Sequence, residues 1–254
     1  GGIARLRQAG IEVMVGVESA ACQTLNEAFV HRILHQRPFG ILKYAMTLDG
    51  KIAATSGHSA WVTSPPARLL VHQTRSVCDA VIVGGQTVRR DNPHLTTHGV
   101  TDRTPLRVVM SRSFDLPTSA NLWQTEVAPT LVCVERGQNP ELQAMLHQRG
   151  VEVLELAEVT PTAVMAKLYD RGCLSVLWEC GGTLAARAIA EGAVQKVMAF
   201  IAPKIIGGQE APSPVGDLGL AQMSEALVLK NLRWQTIGND WLIEGYLSGK
   251  PIEE

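Results

Sequence analysis

The chain has 254 residues, sets 23 Lys and Arg against 24 Asp and Glu, and is 46% hydrophobic and 19% charged. That length suits one or two domains able to bury a core without a disulfide or metal staple. A net charge of −1 offers no basic excess for nucleic-acid binding, and no apolar run nears the roughly 20 residues that cross a bilayer.

The first 37 residues read as a helix over 3–9 ended by Gly10, a strand over 11–15, and a helix over 18–35 with Ala21, Leu25, Ala28, Phe29 and Ile33 on one side. This is too little for a domain of its own. Arg37 and Pro38 mark a break, so the division is 1–37 and 38–254. From Phe39 strands alternate with helices. Strands are read at 39–48, 80–83, 106–110, 130–134, 151–155, 174–179 and Lys196–Ala202. Helices are read from Ser64 (as N-cap) to Val77, at 141–149, at Pro161–Asp170 and from the Gly181 turn to Glu191. Residues 227–237 and 241–247 form a hairpin around Gly238, Asn239 and Asp240. This order implies an α/β fold, a mostly parallel sheet flanked by helices with an antiparallel C-terminal edge. Residues 211–216, with two prolines, read as a mobile surface loop.

Five cysteines, at 22, 78, 133, 173 and 180, contain no C-x-x-C pair. They read as small buried hydrophobes in a reducing cytosol. No signal peptide is read at the N-terminus, so a cytoplasmic location is expected. His31 with His35, and His94 with His98, are too few for a closed zinc site, so no metal is expected.

The strongest local signal is the run from Trp178 to Leu184: a strand ending in Glu179, then Gly181 and Gly182 opening a helix. Backbone N–H groups at a helix start lack intrahelical partners and glycines let a phosphate approach them. On the residues alone, a plain tight turn fits equally well. Gly84 and Gly85, followed by Thr87 and Asp91, repeat the theme at an earlier strand end, and two such turns can face one crevice. Ser111 and Arg112 follow another strand and suit a 2′-phosphate clamp of the NADP kind. Lys43 inside an apolar strand needs solvent or an anion in a cleft. No G-x-G-x-x-G, Walker lysine loop or G-x-S-x-G is present.

Taken together, these segments resemble a known family. Residues 42–53, Ser59 to Ser64 with Arg75, Gly84 to Val88, Asp91 to Pro93, Leu95 with Thr96, Glu179 to Leu184, and Ile201 to Gly208 resemble the reductase domain of the bifunctional riboflavin-biosynthesis deaminase/reductase. Residues 1–37 are similar to the tail of its deaminase domain, whose zinc ligands would precede Gly1, so no deaminase activity is expected. The resemblance implies a dihydrofolate-reductase-like fold and NADPH-dependent reduction of 5-amino-6-(5-phosphoribosylamino)uracil by hydride transfer to the sugar C1′. It implies substrate contacts from Ser59, Arg75, Leu95, His98 and Glu179, with Arg75 at the phosphate. Cofactor contacts are implied for Ala45, Trp61, Thr87, Asp91, Ser111, and for Gly181, Gly182, Thr183, Leu184, Ala185, Ala186 and Arg187. Lys43 and Glu179 are the catalytic candidates, Lys43 to orient the opened sugar or assist proton transfer. The family's Leu-Thr-x-Arg reads Leu95-Thr96-Thr97-His98 here, which replaces a phosphate-clamping Arg by His98; Arg103 is a substitute candidate. The family also implies a homodimer and a deaminase domain or subunit as partner. Two rivals remain at this point: another reductase of the same fold, and a non-catalytic remnant that binds a separate deaminase.

Overall fold

The computed structural model describes residues 1–247, so positions 248–254 of the expected second domain lie outside the described residues. Three short helices, α1 (Gly2–Gln8), α2 (Ser19–Leu25) and α3 (Glu27–His35), precede β1 (Phe39–Thr47) and α4 (Pro65–Val77). Then follow β2 (Ala80–Gly84), α5 (Gly85–Asp91), β3 (Leu106–Ser111), β4 (Thr130–Glu135), α6 (Pro140–Gln148), β5 (Glu152–Leu156) and α7 (Pro161–Asp170). The chain continues through β6 (Ser175–Trp178), α8 (Gly182–Ala190) and β7 (Lys196–Ala202), and closes with β8 (Leu229–Ile237) and β9 (Asp240–Leu247). No helix among the described residues is long and apolar enough to cross a membrane.

The strands form one sheet in the order β5-β4-β3-β2-β6-β1-β7-β9-β8. Every pairing from β5 to β7 is parallel, and β9 pairs antiparallel with both β7 and β8. The α/β architecture with an antiparallel C-terminal edge is therefore as the alternating pattern implies. Its central strands are buried on both faces, because crossover helices cover both. In β2, Ala80 and Ile82 join a core with Met165 and Leu168 of α7 and Ala185 and Ala188 of α8. Val81 and Val83 point the other way, into a core with Val88 of α5 and Leu142 and Leu146 of α6. A third cluster sets Ala67 and Val71 of α4 against Phe200 and Leu242.

The topology creates the crevice. After β1 the chain crosses over β6's slot to β2 and moves outward to β5; it then returns to insert β6 and crosses past β1 to β7. Helices on either side of this reversal leave a gap beyond the carboxyl ends of β1, β6 and β2, where α/β sheets bind ligands.

Several expectations are corrected. Residues 11–15 are not a strand; Ile11, Met14 and Val15 are exposed, with no neighbouring strand to take their backbone groups. The helix expected over 18–35 breaks at Asn26, whose side chain donates to the Cys22 carbonyl at 2.9 Å and competes with helix continuation. Its apolar side is also not buried: Leu25, Phe29 and Ile33 are exposed. The segment still docks, through Arg32 to the carbonyls of Tyr169 and Cys173 and Glu27 to Lys196. Ser64 sits at the N-cap of α4 but does not cap it with its oxygen; its N–H and Oγ both donate to the buried Asp240 carboxylate. The second glycine turn is itself the start of a helix, α5. The cysteines are all free, with Cys78, Cys133 and Cys173 buried, Cys22 exposed and Cys180 between. The 211–216 loop is packed rather than free-standing. Ala211 is buried, and Gly216 donates to the Gly182 carbonyl at 2.9 Å.

Candidate active site

Strand ends deliver the charged side chains. Glu179 follows β6, and its backbone N–H is fixed by the Ile82 carbonyl at 2.9 Å. Lys43 projects from β1, two strands from β2, with its Nζ 3.7 Å from the Glu179 carboxylate. Arg75 comes from the last turn of α4. Its Nε and Nη2 donate to the two Glu179 oxygens at 2.5 and 2.9 Å, and its Nη1 donates to the Thr96 carbonyl at 2.9 Å.

These three groups line a cavity of about 310 Å³ together with Ala45, Ser59, Trp61, Arg68, Thr87, Asp91 and Leu95, among others. Burial opposes the ionised Glu179, but Arg75, by charge and hydrogen bonds, and then Lys43 outweigh it and hold the carboxyl at about 2. Burial lowers Arg75, and the Glu179 carboxylate more than offsets this, leaving it above its usual value. Lys43 moves the other way: burial lowers it and Glu179 restores only part. The cavity therefore holds a fixed anion and an ammonium that gives up its proton more readily than a solvated lysine. Cys180 beside them is pushed up to about 12 by burial and by Glu179, so its thiol stays protonated at neutral pH.

Ser59 donates to Asp91 at 2.9 Å, bringing the 52–61 loop onto the end of α5. Trp61 is 69% exposed, has φ of 62°, and stacks under the Arg68 guanidinium at 4.3 Å; Lys204 holds its carbonyl at 2.6 Å. The flat ring thus forms an open wall of the cavity rather than part of the core.

Thr87 and Gly181 line this cavity and two others, of about 440 and 260 Å³, so the three share walls around the start of α8. Gly182 and Thr183 line the 440 Å³ space, and Thr183, Leu184 and Arg187 the 260 Å³ space. A fourth cavity of about 450 Å³ shares Gly85, Gln86 and Arg112 with the 260 Å³ one and is also lined by Ser111. Most of the predicted residues thus fall along one run of cavities from Lys43 to Ser111.

The two glycines at α8 serve different ends. A Cβ on Gly182 would lie 2.6 Å from the Ser213 carbonyl, so the 211–216 loop requires a glycine there; a Cβ on Gly181 would meet nothing within 4 Å. That open space above a helix start fits a dinucleotide phosphate, with the N–H groups of the first turn available.

Five predicted residues stand apart or are already paired. Ala185 and Ala186 are buried in α8, facing the core rather than a cavity. Arg187 lines a cavity but is tied to Glu158 and Glu191, both at 2.8 Å. His98 is outside the 310 Å³ cavity and stacks on His72 at 4.3 Å between centroids. Burial, then Arg75 and His94, lower its pKa, which disfavours the imidazolium form. His72 beside it is lowered to about 4 by burial, Arg75 and His98. Arg103, the substitute candidate, pairs instead with Asp79 at 2.5 Å. Sequence reasoning missed Arg68; its spacing of seven from Arg75 places both on one face of α4, a signal available in advance.

The family model described as RibD C-terminal domain matches residues 38–243. The riboflavin biosynthesis protein RibD of Synechocystis sp. is 64% identical over 248 residues, covering 98% of this chain and 67% of that protein. The chloroplastic PYRR protein of Arabidopsis thaliana is 48% identical over 98% of this chain but only 43% of its own length. The 2,5-diamino-6-ribosylamino-4(3H)-pyrimidinone 5′-phosphate reductase of Methanothermobacter thermautotrophicus is 35% identical, over 84% of this chain and all of that protein. The solved deaminase/reductase of Thermotoga maritima superposes with a TM-score of 0.81 at 30% identity, over 98% of this chain and 67% of that one. The chain belongs to the RibD C-terminal domain family, the reductase part of the riboflavin biosynthesis protein RibD.

Proposed function

We propose that the chain reduces 5-amino-6-(5-phosphoribosylamino)uracil to its ribitylamino product with NADPH. The observation that carries this reading is the Lys43–Glu179–Arg75 cluster lining a cavity that shares Thr87 and Gly181 with the spaces around α8. The name of the Methanothermobacter relative, which the chain covers completely, supports the same reaction type.

NADPH supplies the hydride. The first-turn N–H groups of α8 would hold its pyrophosphate, and Ser111 with Arg112, which line one cavity, would hold its 2′-phosphate. Ala45, Trp61 and Thr87 line the side facing the substrate. Glu179, ionised at neutral pH, accepts hydrogen bonds from the amino groups of the pyrimidine. Opening the riboside breaks the bond between C1′ and the ring oxygen as the nitrogen lone pair forms a C=N bond. The Lys43 ammonium, its pKa lowered by burial, donates the proton that the departing oxygen takes. The hydride that bound NADPH would supply at C1′ would then neutralise the iminium. Arg75 orients Glu179 by its two hydrogen bonds.

Exposed apolar residues at 1–37 support docking against a deaminase domain, and exposed Leu232 and Trp234 on edge strand β8 support a homodimer. Free thiols suit a reducing compartment, such as the cytosol. The test of the reaction is transfer of label from NADPH deuterated at the nicotinamide C4. Deuterium at C1′ of the ribityl product is expected; an unlabelled product, or none, contradicts the reading.

A further inference from the structure

We propose that Asn121 is a positioning residue of the substrate cavity: from outside the cavity it holds a strained segment whose alternate residues, Asp91, Pro93 and Leu95, form part of the cavity wall. The inference rests on the substrate proposed above. The segment following α5 has costly backbone. Asn92, Leu95 and His98 have φ of 39°, 55° and 50°, a left-handed region that asparagine tolerates and leucine seldom enters. Backbone of this kind persists only where its surroundings over-determine it.

The surroundings here grip every second residue. Asn121 donates its backbone N–H to the Asn92 Oδ1 at 2.8 Å and its Nδ2 to the Asn92 carbonyl at 2.7 Å. Arg107 donates its Nη1 to the His94 carbonyl at 3.3 Å, and Arg75 its Nη1 to the Thr96 carbonyl at 2.9 Å. The residues between these grips, Pro93 and Leu95, line the 310 Å³ cavity, as does Asp91. Asn121 is itself secured. Arg107 Nη2 donates to the carbonyls of Leu122, Gln124 and Ala128 at 3.0, 2.8 and 2.5 Å. Arg107 is fully buried, its hydrogen-bond partners are all carbonyls, and its Nε has none among the described residues. A charge buried in this way is costly. What it secures is the place of the 121–128 loop against His94, and with it the grip of Asn121 on Asn92.

The test is the dissociation constant of 5-amino-6-(5-phosphoribosylamino)uracil, measured without NADPH, alongside KM, kcat and denaturant unfolding. The proteins compared are the wild type, Asn121→Ala, Asn121→Asp and Thr125→Ala. Thr125→Ala removes a different hydrogen bond of the same loop, from Thr125 Oγ1 to the Arg149 carbonyl at 2.7 Å, and is the structural control. We expect Asn121→Ala to weaken substrate binding roughly threefold to tenfold and to raise KM by the same factor, with kcat kept within about twofold. Asn121→Asp keeps the size of the side chain but lacks the Nδ2 donor, so it should lose at least as much. Thr125→Ala should bind substrate as the wild type does, whatever its loss of stability. Wild-type substrate affinity in both Asn121 variants, an equal loss in Thr125→Ala, or no binding by the wild type would overturn the proposal. Should Asn121→Ala fold poorly, Asn121→Asp decides it by the same criteria. A chain that binds the substrate in an Asn121-dependent way but consumes no NADPH would sink the reductase reading and leave this one standing.

Discussion

The two ends of the run of cavities are built on opposite principles. At one end Lys43, Arg75 and Glu179 are largely buried side chains that hold one another, with the Glu179 carboxyl at about 2. At the other, the start of α8 offers backbone N–H groups and open space at Gly181, and Arg112 stands exposed. A buried charge cluster is rigid and chemically tuned, but removing one member leaves the rest unpaired in a poor solvent. A helix start with glycines binds an anion without tuned side chains and tolerates change until the backbone itself is covered. On the proposed function, the difference separates the end that reacts from the end that holds.

The largest effect should come from Glu179→Gln. Leaving the Arg75 guanidinium and Lys43 without their anion should cost about 3 kcal/mol or more of stability, read by denaturant unfolding, while NADPH binding persists. A variant as stable as the wild type would show that the cluster does not hold the fold at this end. The same pair makes a pH prediction. The Glu179 pKa lies at about 2 in the folded state, against an ordinary value of 4.5. Its stabilisation is therefore complete above about 4.5 and is lost as pH falls toward 2. Acid unfolding of Glu179→Gln should lack this component, and identical acid curves would contradict it.

At the other end, two neighbouring glycines should part company. Gly182→Ala puts a Cβ 2.6 Å from the Ser213 carbonyl, so it should displace the 211–216 loop and cost roughly 1–3 kcal/mol. Gly181→Val should leave stability near wild type and weaken NADPH binding, because its side chain fills the space left for phosphate. Equal thermal melts for the two variants, or full NADPH affinity in Gly181→Val, would break the distinction. The smallest effect is Arg112→Gln, which should reduce the preference for NADPH over NADH roughly tenfold by removing a charged phosphate partner. Parallel titrations of the two cofactors check it.

Much of this was legible in the sequence, for identifiable reasons. The β2 run of Ala80 to Val83 reads as a strand buried on both faces because every position is apolar, and it is. The Glu179-to-Leu184 signal rested on a strand end meeting a glycine-opened helix, which is local geometry. What failed or went unread depends on contacts distant in sequence. Asp240 takes the Ser64 hydroxyl that would otherwise cap α4, and lies 176 residues away. Arg107, in the apolar run of β3, is fully buried because the carbonyls of Leu122, Gln124 and Ala128 surround its guanidinium. No periodicity reveals such an acceptor set. The Arg75–Glu179 ion pair likewise joins residues 104 positions apart in the chain. The N-terminal strand failed for the converse reason, since alternation supplies an edge but not a neighbour to pair with it.

The most direct test of this two-ended account is NADPH consumption on adding 5-amino-6-(5-phosphoribosylamino)uracil to the purified chain, paired with Glu179→Gln. The account predicts that the wild type consumes NADPH, whereas Glu179→Gln binds NADPH with wild-type affinity and turns over little or none. A variant that reduces the substrate like the wild type, or one that is folded yet no longer binds NADPH, would contradict the division between the end that reacts and the end that holds.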